Sequence, residues 1–171
     1  MSFRTRTTMI MEGIKPFYGI IQYTRAPELI GQTAGDDLIP MADETALKRI
    51  LIVDDEPTIL LTLSYALRTK NVDVITASRL ETAEEALKRH TFDLVIADIR
   101  MSGMLGAEGL ELLTYIKRYW PSTRVIIMTA HGSEEIQHDA YERGATYYYQ
   151  KPVDIRELMR KIEELGIPLK D

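Results

Sequence analysis

Residues 50–60 read ILIVDDEPTIL: an apolar run, a cluster of acids, a proline and a renewed apolar stretch. An apolar run with no polar member fits a strand covered on both faces, because a half-solvated strand would alternate. Pro57 suits the first helical position, where its missing N–H costs nothing, and Ile59, Leu60, Leu63, Ala66 and Leu67 then recur on one helical face. The stretch therefore predicts a buried strand, an acidic turn and an amphipathic helix.

The same rhythm continues outward from it. Residues 94–97 and 125–128 are equally apolar and fit central strands, whereas 72–76 and 146–149 are more mixed and fit outer ones. Ser78 and Glu81 have capping-box spacing ahead of Leu80, Ala83, Ala86 and Leu87. Leu110, Leu113 and Ile116 form a third helical stripe, stopped before Pro121. Ser133 is placed to cap a fourth helix whose buried face rests only on Ile136 and Ala140. A fifth opens at Asp154, buries Ile155, Leu158, Met159 and Ile162, and stops near Gly166. Strand and helix units in alternation predict an α/β fold, a doubly wound parallel sheet.

Residues 1–47 break the rhythm. Residues 20–23 read as an extra strand, and 25–41, rich in Gly, Pro and Asp, as a linker. They are expected to form a poorly ordered N-terminal extension or linker ahead of a domain over residues 48–171.

Composition narrows the function classes. The 171 residues suffice for one domain with a full core, and the 45% hydrophobic and 27% charged fractions are those of a soluble globular protein. No apolar run approaches the length of a membrane span, and the N-terminus carries no secretory pattern. The absence of cysteine removes disulfide and thiol chemistry and is compatible with a cytoplasmic location. A net charge of −5 disfavours direct nucleic-acid binding.

The chemistry-bearing residues stand at one place in the pattern. Asp54 and Asp55 follow the first apolar run, Asp98 the third strand, Thr129 the fourth and Lys151 the fifth. In an open parallel sheet these positions share the carboxyl edge, where ligands bind. Carboxylates crowded together repel, so they hold a proton or recruit a cation. Oxygen ligands without His or Cys favour Mg²⁺, which pairs readily with phosphate oxygens. A carboxylate beside Mg²⁺ can act as nucleophile toward phosphorus, with Lys151 and the Thr129 hydroxyl placed to hold the phosphoryl oxygens.

Taken singly, each residue has a plainer reading. Asp98 would be a turn or helix cap, Lys151 a solvated lysine before Pro152, and Asp55 or Glu56 the start of the first helix. Independent caps need not supply acids, hydroxyl and lysine at successive sites on one edge. His90, His131 and His138 form no ligand cluster by spacing, and surface histidine is the simpler reading.

Over about residues 48–166 the chain resembles the receiver domains of two-component response regulators. ILIVDDEPTIL is similar to the family's first strand and acidic pair, LVIADIRM to its phosphoacceptor strand, VIIMTAHG to its switch-hydroxyl strand, and YYYQKPVDIREL to its lysine segment. The resemblance implies a chemotaxis-regulator-like, flavodoxin-like fold with five parallel strands in the order 2-1-3-4-5. It implies Asp98 as phosphoacceptor, and Mg²⁺ held by Asp98, by Asp55 directly, by Asp54 largely through water and by the backbone carbonyl of Arg100. Thr129 and Lys151 would contact the phosphoryl group, and Ala130 would leave room for it. Tyr148 aligns with the aromatic switch, while Tyr147 and Tyr149 read as packing or surface residues, although a one-residue shift would exchange these roles. The donor would be a sensor histidine kinase or histidine phosphotransfer protein, and the recipient of the signal a downstream protein. The resemblance implies a phosphoacceptor with slow self-dephosphorylation rather than an enzyme.

The pattern departs from the family after Asp98. A Met-Pro-x-Met-x-Gly run is usual there, whereas this chain reads MSGMLGAEGLELL, with Ser102 in place of proline and about three extra residues before Gly109. A longer, more flexible loop is expected. Two other readings stay open. An aspartate-nucleophile phosphatase of the haloacid dehalogenase type would need a second Asp where this chain has Glu56. A receiver acting only as an unphosphorylated binding module would not need the intact acidic set. No output domain is expected after the fifth helix, so the signal would pass through another protein.

Overall fold

The computed structural model describes residues 46–100 and 108–170. The expected N-terminal extension, apart from Ala46 and Leu47, lies outside them, as do the strand read at residues 20–23 and residues 101–107, where a longer loop is expected.

Among the described residues, the expected runs become strands: β1 (Lys48–Val53), β2 (Val72–Ala77), β3 (Leu94–Asp98), β4 (Arg124–Thr129) and β5 (Tyr147–Gln150). All neighbours pair in parallel, in the order β2-β1-β3-β4-β5. This is the doubly wound, flavodoxin-like order that the resemblance implies. The wholly apolar runs of β1, β3 and β4 take the centre, and the mixed runs of β2 and β5 take the edges.

Side chains alternate across a strand, so each central strand feeds two cores. Ile50, Ile52, Leu94, Ile96, Ile126 and Met128 pack with Leu63 and Leu67 of α1 (Pro57–Leu67) and with Leu158 and Ile162 of α5 (Ile155–Glu164). On the opposite face Leu51, Val53, Val95, Ala97, Val125 and Ile127 meet α2 (Leu80–Arg89), α3 (Glu108–Tyr119) and α4 (Glu134–Glu142). Each fully buried Leu or Ile is worth about 1.5–3 kcal/mol, and these two layers hold the sheet edge rigidly enough to support a site. Ile167 and Leu169 are also buried, in the core shared with α1 and α5, and tie down the segment after the last helix.

Helix ends follow the predicted chemistry at three places. Pro57 opens α1, Ser133 Oγ accepts the Ile136 amide at 3.2 Å, and the Asp154 carboxylate accepts the Arg156 amide at 2.9 Å. Gly166, with φ +80°, lies just beyond the end of α5. The capping box expected from Ser78 and Glu81 is not formed. The cap position of α2 is Arg79, whose side chain makes no capping bond, so Ser78 stands one residue too early. Glu81 in the first turn and Lys88 and Arg89 in the last still complement the helix dipole. Ile155 and Met159 of α5 are half-buried rather than buried. In α4 only Ala140 is fully buried, as its thin apolar stripe implies. No helix among the described residues is long and apolar enough to cross a membrane.

Candidate functional site

Where β1 and β3 end side by side, parallel pairing brings Asp54 and Asp98 to one edge: Val53 is in register with Ala97. Both acids are buried, at 2% and 5% exposure. Their desolvation is costly unless each charge is met. Asp54 Oδ1 accepts the Glu56 amide at 2.9 Å and Asp98 Oδ1 accepts the Arg100 amide at 3.1 Å, which fixes each carboxylate through the turn that follows its strand.

The opposite charge comes from the end of β5. Lys151 donates its backbone N–H to the Thr129 carbonyl at 2.8 Å, which carries its side chain across the edge beside β4. Its Nζ reaches Asp54 Oδ2 at 2.7 Å, Asp98 Oδ2 at 3.0 Å and Glu56 Oε1 at 3.1 Å. Burial alone would lower the lysine pKa, but the hydrogen bonds and charges of Asp54 and Asp98 outweigh it and hold the ammonium above its ordinary value. Lys151 therefore stays charged through the neutral range. The pKa of Asp54 also shifts upward, which for an acid favours the neutral form. Burial raises its pKa above the ordinary carboxylate value, against the lowering effects of Lys151 and the Glu56 amide.

Carboxylate oxygens of Asp54, Glu56 and Asp98 lie within 4.8 Å of one another. At an effective dielectric of about 20, two like charges at that spacing repel by roughly 3 kcal/mol. One ammonium against three ionised carboxylates leaves two negative charges, which a hard divalent cation balances. Oxygen donors without sulfur or imidazole fit Mg²⁺. Asp55 is half-buried and is not a member of this mutually close set, whereas Glu56 is.

Thr129 is fully buried at the end of β4, and its Oγ1 accepts the His131 amide at 3.2 Å. Tyr148 stands beside it. A Cβ added to Gly132 would lie 2.1 Å from the Tyr148 hydroxyl and 3.4 Å from Thr129 Cγ2, so the bare glycine is what admits the ring here. The Tyr148 hydroxyl is buried without a hydrogen-bond partner among the described residues, and burial pushes its pKa up. Gly109 makes a second close approach: a Cβ there would stand 2.2 Å from the Asp98 carbonyl oxygen, so α3 begins directly against the backbone of Asp98.

The structure thus brings Asp54, Asp98 and Lys151 into contact, places Thr129 and Tyr148 on either hand of Gly132, and binds the Arg100 amide, two residues on, to the Asp98 carboxylate. Glu56 is the member that sequence reasoning assigned only to a helix start. The available signal was Pro57: a helix opening there puts Glu56 at the cap, and its side chain makes no capping bond. A groove of ≈ 450 Å³ opens beside Lys151, between α1 and the start of α5, lined by residues that include Ile59, Leu63, Ala130, Pro152 and Leu158.

The family model described as the response regulator receiver domain matches residues 50–163. The alginate biosynthesis transcriptional regulatory protein AlgB of Pseudomonas aeruginosa is 37% identical over 131 residues, covering 68% of this chain and 28% of that protein. The DNA-binding transcriptional regulator NtrC of Escherichia coli is 39% identical over 114 residues, covering 67% and 24%. The chain spans about a quarter of the length of these curated relatives. Among solved structures, a CheY-like response regulator receiver domain protein from Methanospirillum hungatei matches with a TM-score of 0.65 at 33% identity, over 71% of this chain and 94% of that one. The response regulator protein TrrA of Thermotoga maritima, in complex with Mg²⁺-BeF, matches with a TM-score of 0.59 at 33% identity, over 69% and 98%.

Proposed function

The chain belongs to the response regulator receiver family, and from that membership we propose that Asp98 accepts a phosphoryl group from a phosphohistidine of a sensor kinase or phosphotransfer protein. The observation that carries this reading is the contact of Lys151 with both Asp54 and Asp98 at the carboxyl edge of the sheet. An Asp98 carboxylate oxygen forms a bond to phosphorus as the bond from phosphorus to the donor's imidazole nitrogen breaks. The imidazole keeps the electron pair and takes up a proton. Lys151 neutralises charge on the phosphoryl oxygens, and the Thr129 hydroxyl donates a hydrogen bond to one of them.

Asp54, Asp98 and the Arg100 carbonyl are the residues that would hold Mg²⁺, with Asp55 or Glu56 completing the acidic set. Its chemistry when bound is neutralisation of charge on the phosphoryl oxygens.

The added charge draws the Thr129 hydroxyl toward the phosphoryl group and alters the space that the Tyr148 ring occupies. A surface made of α4, β5 and α5 then changes its affinity for a downstream protein. The chain acts as a phosphoacceptor and switch, located in the cytoplasm, without direct contact to nucleic acid.

Beryllofluoride with Mg²⁺, a phosphoryl mimic, tests this reading by NMR. It is expected to shift the amides of Ile99, Arg100 and Ala130 in the parent and to leave Asp98→Asn unchanged. An unresponsive parent, or an equal response in the variant, contradicts it.

A further inference from the structure

An ammonium has three N–H donors and no more. In Lys151 all three are committed, to Asp54 at 2.7 Å, Asp98 at 3.0 Å and Glu56 at 3.1 Å. None is left for a phosphoryl oxygen. If Asp98 is the acceptor, as proposed above, Lys151 must surrender a partner before it can stabilise the incoming group.

The three partners are not equivalent. Asp54 and Asp98 have side-chain exposures of 3% and 5%, whereas Glu56 is 58% exposed. Stripping the ammonium from a buried carboxylate leaves an uncompensated charge out of water, a large cost. Glu56 rehydrates on release, and exposed pairs of this kind are weak. The backbone of Glu56 has separate duties, donating its amide to Asp54 and accepting the Ile59 and Leu60 amides at the start of α1. Its carboxylate makes no capping bond and reaches the lysine instead.

We infer that Glu56 is a positioning residue that occupies the third donor of Lys151 before phosphorylation and is the partner released when the phosphoryl group arrives. It holds the ammonium over the acceptor and at the same time slows acceptance, because its own charge must be separated from the lysine first. The carboxylate is a brake on the site.

The test compares the parent, Glu56→Gln and Glu56→Asp, phosphorylated by acetyl phosphate at saturating Mg²⁺ and low ionic strength, with intact mass as the readout. Gln keeps the size of the side chain but not its charge; Asp keeps the charge but is too short for the 3.1 Å contact. Both variants are expected to label two- to fivefold faster than the parent, the range a weak exposed pair allows, with the advantage shrinking as salt is raised. A Gln variant no faster than the parent overturns the inference. So does an Asp variant that labels at the parent's rate while Gln is fast, since charge alone would then be responsible. A parent that acetyl phosphate labels in an Asp98-dependent way, combined with unaccelerated variants, removes this inference and leaves the phosphoacceptor reading standing. A parent that is not labelled removes both.

Discussion

Asp54 bears an electrostatic cost that its position makes unavoidable: a carboxylate at 2% exposure, facing a second buried acid. Burial raises its pKa above the ordinary value of 3.8. Between that value and the raised folded one, the folded chain binds more protons at Asp54 than the unfolded chain. Stability attributable to this group therefore falls as pH rises through the window, and the cost is fully present above it. Asp54→Asn keeps an acceptor for the Glu56 amide and removes the charge. In the absence of divalent ions it is expected to raise stability at neutral pH by about 0.5–2 kcal/mol, the usual gain from relieving functional strain. The gain should diminish as pH is lowered through the window. Urea unfolding at several pH values measures it, and a loss of stability at neutral pH would count against this view. Asp54, Asp98, Thr129 and Lys151 were legible in the sequence because each follows a strand run. Glu56 was not, because its partner stands far along the chain, at Lys151.

Among the helices, α4 is the least anchored, with Ala140 its only fully buried residue and Ser133 supplying its cap. A switch surface needs such an element, whose rearrangement disturbs little packing. Ser133→Ala removes the 3.2 Å bond to the Ile136 amide and is expected to cost about 0.5–2 kcal/mol locally. Hydrogen exchange should show faster amides over residues 134–142 with β1, β3 and β4 unchanged. Uniform acceleration across the sheet would mean that α4 is integral to the global fold. The five strands and helices were readable from periodicity, and the Ser133 and Asp154 caps from residue type. The Ser78 box was not, since a serine and a glutamate at the right spacing do not fix where the first turn begins. Strand order was supplied by resemblance, because periodicity carries no information about which strands are neighbours.

At the scale of the molecule, two apolar layers clamp a parallel sheet and leave one edge to chemistry. Central strands buried on both faces cannot shift without disturbing both cores, so the acids at their ends are held in place at some cost in charge repulsion. On the proposed function the signal leaves through elements nearer the sheet's margin, where Tyr148 on β5 and Thr129 at the β4 end flank Gly132. All of this depends on Asp98 being the atom donor to the new bond. An acyl phosphate is reduced by borohydride to the alcohol, so treating the acetyl phosphate-labelled chain with borohydride marks the acceptor permanently. Peptide mapping is predicted to find homoserine in place of Asp98 in the parent and no homoserine at any site in Asp98→Asn. Homoserine at another acid in the parent, or labelling that persists in Asp98→Asn, would contradict the assignment.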